Sequence, residues 1–252
     1  MKSGLKEIAI AALAFMLAAP VQADVIGFSL EAVYWAPEVS GNFSSTGDTE
    51  VDISDDLGID DTDDTSIVMR LEHPIPFLPN IKYQGVGLDS DGSEVLSGNV
   101  TFEGQTYNAG ETLRTTLDLS HDDIVLYYEV LDNWVNLDIG IDVKRFDGEV
   151  SMVGSANTVT SSIDIDETVP LLYVSAKFDL PFTGYYVGVD ISNISAGDSS
   201  VDDTTIRLGY ESDSGFGLEG GVRQFSLELD DVDNLDSDLE YDGAFLNGFF
   251  RF

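Results

Sequence analysis

The stretch WVNLDIGIDVK at residues 134–144 decides the fold, because apolar and polar side chains alternate along it without a break. One face of the extended chain carries only apolar side chains: Val135, Leu137, Ile139, Ile141 and Val143. A period of two residues belongs to a β-strand, and no helix has it. The segment is therefore predicted to be a strand whose two faces meet different surroundings.

The same alternation returns along the rest of the chain, and no convincing helical stripe follows Val25. We predict ten strands, near residues 25–36, 65–73, 80–89, 113–131, 134–147, 169–180, 184–195, 203–212, 215–228 and 239–252. A misjudged hairpin in residues 90–112 or 148–168 would change the number to eight or twelve. The fold class is all-β in each case.

The connections between these strands alternate in length and character. Four are short, at residues 74–80, 132–133, 181–183 and 213–214. The others are longer and acidic, as at residues 37–64 and 229–238. Short turns at one end and long loops at the other are typical of an antiparallel up-and-down transmembrane β-barrel with both termini in the periplasm.

A secreted β-sandwich also alternates, but two features favour the barrel. Aromatic residues lie near the predicted periplasmic ends and resemble an interfacial girdle: Tyr128, Phe178, Tyr185, Tyr210, Phe216 and Phe252. The last strand alternates up to a final phenylalanine, which is the form of the signal read by the barrel assembly machinery. That predicted assembly signal consists of Leu246, Phe250 and Phe252. The expected partners are this machinery, outer-membrane lipid and lipopolysaccharide.

The first 23 residues have the pattern of a secretory signal peptide. Lys2 and Lys6 precede an apolar run at residues 8–19, and small residues at 21 and 23 fit a cleavage site before Asp24. The run is well short of the roughly 20 residues of a spanning helix. The predicted division is therefore a signal peptide at 1–23 and an outer-membrane barrel at 24–252.

The composition excludes several classes of function. The chain has 47 acidic residues against 11 Lys and Arg, a formal net charge of −36, which repels nucleic acid. It has no cysteine, so disulfides, thiol catalysis and Cys-based metal sites are excluded.

The polar faces of the strands predict a charged lumen. If the apolar faces meet lipid, seven of the nine basic residues after residue 23 point inward, in a chain otherwise nearly stripped of basic charge. Charges in a narrow bore are costly unless paired, which favours an ion-pair network, while a pore lining is the alternative. The predicted network comprises Arg70, Glu72, Asp138, Asp142, Lys144, Asp190, Arg207, Glu211, Glu219, Arg223 and Arg251, and Lys82 and Lys177 share the inward faces.

Several segments resemble an uncharacterised family of outer-membrane β-barrel proteins from Gram-negative bacteria, the outer-membrane protein family of GlyGly-sorting species. They are EHPIPFLPNIK (72–82), LYYEVLDNWVNLDIG (126–140), LPFTGYYVGVDISNIS (180–195), LGYESDSGFGLEGGVRQFSLELDDVDNLD (208–236) and the final LNGFFRF (246–252). The resemblance covers nearly the whole chain after residue 23. It implies an outer-membrane barrel and supplies no activity and no catalytic residue.

Two groups of residues suggest specific chemistry, but a simpler interpretation is favoured for each. His121 with Asp122 and Asp123 could act as a general base in a hydrolase, but a bulge there is the favoured interpretation, and His73 is predicted to be a turn residue. Acidic loops could bind calcium loosely, although neither fits an EF-hand and solvated loops are favoured. The weak calcium candidates are Asp89, Asp91, Glu94, Asp231, Asp233 and Asp236. No catalytic residue and no cofactor are assigned.

The function predicted from the sequence is a non-enzymatic structural or surface-interaction barrel that displays acidic extracellular loops. A narrow channel for small solutes or ions is the first alternative, and an outer-membrane hydrolase is the second.

Overall fold

The structure is a computed structural model that describes residues 26–252 without 46, 49, 60, 76, 157–159 and 233–234. Seventeen β-strands form within these residues. No helix within these residues is long and apolar enough to cross a membrane. The predicted signal peptide lies outside them. In chain order the strands are β1 (Gly27–Ser45), β2 (Val51–Asp52), β3 (Asp64–Glu72), β4 (Asn80–Val86), β5 (Asp89–Val95), β6 (Val100–Phe102), β7 (Gln105–Tyr107), β8 (Thr112–Asp118), β9 (His121–Leu131), β10 (Val135–Phe146), β11 (Gly148–Gly154), β12 (Thr160–Ile165), β13 (Thr168–Asp179), β14 (Tyr185–Ala196), β15 (Ser199–Glu211), β16 (Phe216–Val232) and β17 (Leu235–Arg251).

Ten of these strands close into an antiparallel barrel. Their order around the wall is β1, β3, β4, β9, β10, β13, β14, β15, β16 and β17. The barrel closes because β17 pairs back onto β1, from Ser29↔Arg251 to Ser45↔Leu235. The predicted number of ten barrel strands is confirmed, and β2 adds a short extra strand at the edge of β1.

The outward face of the barrel wall is apolar. Ile139 and Ile141 on β10 and Leu246 on β17 are exposed, as are the six residues of the predicted girdle. Aromatic neighbours meet on this face, with Tyr185 and Tyr210 at 4.9 Å between ring centroids. A closed barrel leaves no unpaired strand edge, and an apolar outer band is what such a barrel presents to lipid.

The four short connections predicted from the sequence all lie at one end of the barrel. They join β3 to β4, β9 to β10, β13 to β14 and β15 to β16. Two of the predicted long loops are wrong. β14 and β15 are separated only by residues 197–198, and β16 and β17 continue to Val232 and from Leu235, through the segment predicted as the acidic loop 229–238.

The segments predicted as loops at 90–112 and 148–168 also contain strands. β5, β8, β11 and β12 form a four-stranded sheet beyond the outer end of the barrel. Each of them continues a barrel strand after a break of one or two residues, so the predicted strand 113–131 is really β8 and β9, separated at residues 119–120. These strands form because alternate side chains are buried, including Leu113, Leu117, Val150 and Met152.

The polarity of the two faces reverses along a single strand. In the membrane-facing half of β17, Leu246 points outward and Asn247 points into the lumen. Further from the membrane, Asp238 and Asp242 are exposed while Tyr241 is fully buried. The direction of each side chain still alternates regularly, so the reversal comes from the change of surroundings and not from a bulge.

The buried faces beyond the membrane form one apolar core over the outer mouth of the barrel. It brings together the long hairpins of β1, β16 and β17 and the four-stranded sheet. Its fully buried aromatic members are Trp35, Phe43, Phe102, Tyr107, Phe225 and Tyr241. The described residues thus place an apolar layer above a polar lumen.

Candidate functional site in the barrel lumen

The eleven charged residues of the predicted network point to the inside of the barrel. The alternation of each strand determines this, because their outward neighbours, such as Ile206 beside Arg207 and Val222 beside Arg223, are exposed. Lys82 and Lys177 face inward as well, and both lie against tyrosine rings, Lys82 over Tyr173 and Lys177 over Tyr186.

The outer part of the lumen holds a compact cluster of two cations and two carboxylates. Arg223 donates from Nε to Oδ1 of Asp203 at 3.0 Å and from its terminal nitrogen to Oδ2 at 2.6 Å. Lys144, with none of its side chain exposed, contacts Asp123 at 2.8 Å and Asp203 at 3.2 Å. The guanidinium of Arg223 also lies 4.6 Å from the centre of the Trp35 ring. This cluster joins β9, β10, β15 and β16 directly beneath the apolar core.

A second cluster crosses the lumen nearer the end with the short turns. Arg207 pairs with Asp190 and lies 3.3 Å from Glu219. Glu219 also accepts hydrogen bonds from the Tyr186 hydroxyl at 2.6 Å and from the Asn247 amide at 2.8 Å. The same amide donates to Glu31, which pairs with Arg70 at 2.6 Å. The network therefore runs from β14 to β3 through side chains of β15, β16, β17 and β1.

The remaining members of the predicted set lie at the edges of these clusters. Arg251 contacts Glu211 at 3.4 Å, with both side chains partly exposed. Glu72 accepts a hydrogen bond from the Tyr127 hydroxyl at 3.1 Å. One carboxylate oxygen of Asp138 and one of Asp142 are buried without a hydrogen-bond partner among the described residues.

The structure determines how the inward charges pair. Arg223 binds Asp203, whereas Glu219, on the same strand as Arg223, lies against Arg207. The network also contains Glu31, Asp123, Asp203 and Asn247, which the predicted set omitted. The sequence alone could have identified Glu31 and Asn247 as inward residues, because the residues next to each of them along the strand are apolar and face outward.

Two cavities occupy the lumen beneath the apolar core. The larger, about 630 Å³, opens at the end with the short turns and is lined by residues such as His73, Asn133 and Phe252. The smaller, about 70 Å³, lies deeper among the ion pairs and is lined by Lys82, Asp142 and Arg223. Their shared lining includes Arg70, Arg207 and Glu219, so the second charged cluster lies where the two cavities meet.

The three residues of the hydrolase alternative, His121, Asp122 and Asp123, do not face one site. His121 is 4% exposed, and its ring packs against those of Phe146 and Phe225, with centroids 5.2 and 5.3 Å away. Its Nδ1 lies 2.8 Å from the Leu119 carbonyl oxygen, which gives that nitrogen an acceptor for its proton. Asp122 lies on the opposite, outward face and accepts a hydrogen bond from Tyr83. His73 is a turn residue, with Nε2 at 3.2 Å from the carbonyl oxygen of Pro79.

One group of three metal-type ligands occurs among the described residues: His121, Asp123 and Asp203, with ligand atoms within 4.8 Å of one another. The ammonium of Lys144 already lies between the two carboxylates, at 2.8 and 3.2 Å. A divalent cation at this place would have to displace Lys144, so the group is an ion-pair cluster.

The calcium candidates do not converge on one point. Asp89, Asp91 and Glu94 lie on β5, an extended strand in which Asp91 and Glu94 project to opposite faces. Asp91 accepts a hydrogen bond from Thr116, and Asp236 accepts one from the Asp231 amide. Asp233 lies outside the described residues. The prediction that residues 89–94 form a loop is wrong.

No family model matches the chain, and no curated protein matches it. Solved structures of similar shape include the outer membrane protease OmpT from Escherichia coli, with 10% identity over 93% of this chain and 99% of that chain and a TM-score of 0.48. The transport unit of the autotransporter AIDA-I from Escherichia coli gives 10% identity, 96% and 95% coverage and a TM-score of 0.43. The translocator domain of the autotransporter NalP from Neisseria meningitidis gives 9% identity, 100% and 96% coverage and a TM-score of 0.41.

These similarities are too distant to carry an argument about activity. The barrel that the family resemblance implied is confirmed by the closed strand order of the chain itself. Membership of the particular family stays a prediction.

Proposed function

We propose that this chain is an integral outer-membrane barrel with a closed bore, which acts without enzymatic activity as a structural or surface-interaction protein. Its outward apolar band supports insertion in a lipid bilayer, and its short turns at one end with long hairpins and additional strands at the other support the orientation typical of outer-membrane barrels. The extracellular part would then consist of the four-stranded sheet and the long hairpins.

The observation that carries the proposal is that two successive layers fill the bore. The apolar core covers the outer mouth, with Trp35, Phe225 and Tyr241 fully buried inside the ring of strands. Directly beneath it, Arg223, Asp203 and Lys144 hold the walls together across the lumen. An ion that entered the 630 Å³ chamber would meet first a charged cluster and then an apolar layer, and neither provides a continuous hydrated path.

The surroundings of His121 support the non-enzymatic part of the proposal. A general base has to reach the proton that it removes, directly or through one water. The His121 ring packs against Phe146 and Phe225, and Asp123 is held by Lys144. None of the His121 side chain is exposed, so a substrate could reach its ring only if the surrounding side chains rearranged.

The exposed surface supports an interaction role. Of the nine basic residues after residue 23, only Arg114 and Arg145 lie outside the lumen, so the displayed strands are nearly without basic charge. Acidic residues follow one another on the outward face of β17, where Asp238 and Asp242 are exposed and Glu240 is partly exposed. Such a surface favours cationic partners and repels anionic ones.

Planar-bilayer conductance of the refolded protein tests the closed bore. We expect no steady single-channel current from the native chain. The double variant Phe225→Ala, Tyr241→Ala, which thins the outer core, should raise the frequency of transient openings. Leu246→Ala, on the lipid face of β17, is the matched control and should behave as the native chain does. A large, steady current from the native protein would contradict the proposal.

The charged chamber of 630 Å³ favours a narrow channel as the second candidate function. It contains Arg207 and Arg70 but also the carboxylates Glu72 and Asp138, which have no basic partner among the described ion pairs. A channel using this path should select cations. Reversal potentials in a salt gradient would show that selectivity if the native protein conducts.

A further inference from the structure

Three neighbouring turns at the periplasmic end carry exposed apolar side chains, which we call the apolar rim: Ile75, Phe77, Leu78, Trp134, Leu180 and Phe182. They belong to the β3–β4, β9–β10 and β13–β14 connections, whose strands follow one another around the wall. Phe77 is 93% exposed and Phe182 is 109% exposed. The fourth turn, residues 212–215, has the sequence SDSG and is polar. The turns at this end of the barrel are therefore apolar on one side only.

The two phenylalanines occupy the same place in two similar turns. The Leu78 amide donates to the Ile75 carbonyl at 3.4 Å, and the Thr183 amide donates to the Leu180 carbonyl at 3.3 Å. The third residue of each four-residue turn is a phenylalanine with positive φ, 70° for Phe77 and 67° for Phe182. Glycine or asparagine normally fills this position, because a side chain there is strained. Within the described chain, no ring contact compensates either phenylalanine.

Resting on the outer-membrane insertion proposed above, we infer that the apolar rim enters the lipid interface of the periplasmic leaflet, while the turn at residues 212–215 stays in water. The rim continues the outward apolar band of the barrel. Tyr128, a girdle residue on β9, donates to the Phe77 carbonyl at 3.0 Å and so ties this turn to the girdle. Trp134 packs edge-to-face on the outward ring of Phe178 at 5.5 Å.

The chemistry of the rim fits the boundary between headgroups and acyl chains. Aromatic side chains prefer this depth, and apolar side chains can enter it by several ångströms. The rim residues are uncharged, whereas the control turn carries Asp213. A phospholipid surface therefore removes from water the side chains that the fold itself leaves exposed.

Site-directed spin labelling tests this inference on a chain that has no native cysteine. The variants Phe77→Cys, Phe182→Cys and Asp213→Cys are labelled with a nitroxide and refolded in phosphatidylethanolamine–phosphatidylglycerol vesicles. We expect the ratio of oxygen to nickel-chelate accessibility to be at least about threefold higher at 77 and 182 than at 213. Equal chelate access at all three positions would overturn the inference. Spin–spin broadening that grows with protein density would also overturn it, because it would show that a second copy of the chain covers the rim.

The native protein supplies an independent measurement that needs no substitution in the rim. It has two tryptophans, of which Trp35 is fully buried in the outer core and Trp134 is exposed. Lipids brominated near the headgroup end of the acyl chain should quench Trp134 strongly. The double variant Phe77→Asn, Phe182→Asn places asparagine, which tolerates positive φ, at both positions. It should reduce this quenching at least about twofold. Unchanged emission of the native protein in brominated lipid would refute the lipid contact.

Discussion

Arg223 holds Asp203 through both carboxylate oxygens, at 3.0 and 2.6 Å, from neighbouring strands on the inside of the barrel. Their side chains are only 7% and 10% exposed. A bidentate pair of this kind fixes the relative position of the two strands as well as neutralising two charges. It also lies where the polar lumen meets the apolar core.

Arg223→Ala should destabilise the folded barrel by about 3 kcal/mol, because it leaves the buried Asp203 with Lys144 as its remaining cation. Urea unfolding in lipid vesicles measures the change. The control is Arg251→Ala, whose pair with Glu211 is partly exposed and should contribute less than about 1 kcal/mol. Equal losses of unfolding free energy in the two variants would mean that the outer cluster stabilises the barrel no more than the partly exposed pair does.

Ile139→Arg should cost about 2–4 kcal/mol, because Ile139 lies in the middle of β10 on the outward face and the guanidinium would enter hydrocarbon. The control on the same strand is Asn136→Arg. Asn136 faces the larger chamber and donates to Asp179 at 2.8 Å, so an arginine there gains acidic neighbours. The two unfolding curves in vesicles should separate clearly, and coincident curves would contradict the assigned faces of β10.

Phe225→Ala should destabilise the protein by about 3–5 kcal/mol, since it opens a cavity in the outer core. The ring of Phe225 contacts those of His121, Phe146 and Tyr241, which cannot all move to refill the space. Leu246→Ala removes an exposed lipid-facing side chain and should cost much less. A small effect of Phe225→Ala would show that the core is loosely packed.

The double variant Phe250→Ala, Phe252→Ala should assemble poorly. Phe252 packs on Phe28 at 5.5 Å and on Phe250 at 4.7 Å, next to the β1–β17 pairing that closes the barrel. The measurement is the amount of heat-modifiable, folded protein in outer membranes, compared with Phe249→Leu on the inward face. Native amounts of the folded double variant would argue against a role of these rings in assembly.

Much of the barrel could be predicted because each strand lies between lipid on one face and a polar lumen on the other. In β10, lipid lies on one side and a polar lumen on the other, so Ile139 and Asp138 had to fall on opposite faces. The same alternation predicts that Arg207 and Arg223 point inward. It does not predict their partners, because these depend on the register between neighbouring strands, which brings Asp203 of β15 to Arg223 and Asp190 of β14 to Arg207.

The sequence by itself determined the ten alternating strands, their short turns and the inward charges, because period and composition report which side of a strand meets lipid. Only the tertiary structure decided what happens beyond the membrane. There the outer surface of β17 meets water and its inner surface meets an apolar core, so the meaning of alternation reverses between Leu246 and Tyr241. The acidic stretch was therefore predicted as loops. Which of its residues are buried cannot be predicted from the stretch alone. They are buried because distant hairpins and the sheet of β5, β8, β11 and β12 pack against them and exclude water.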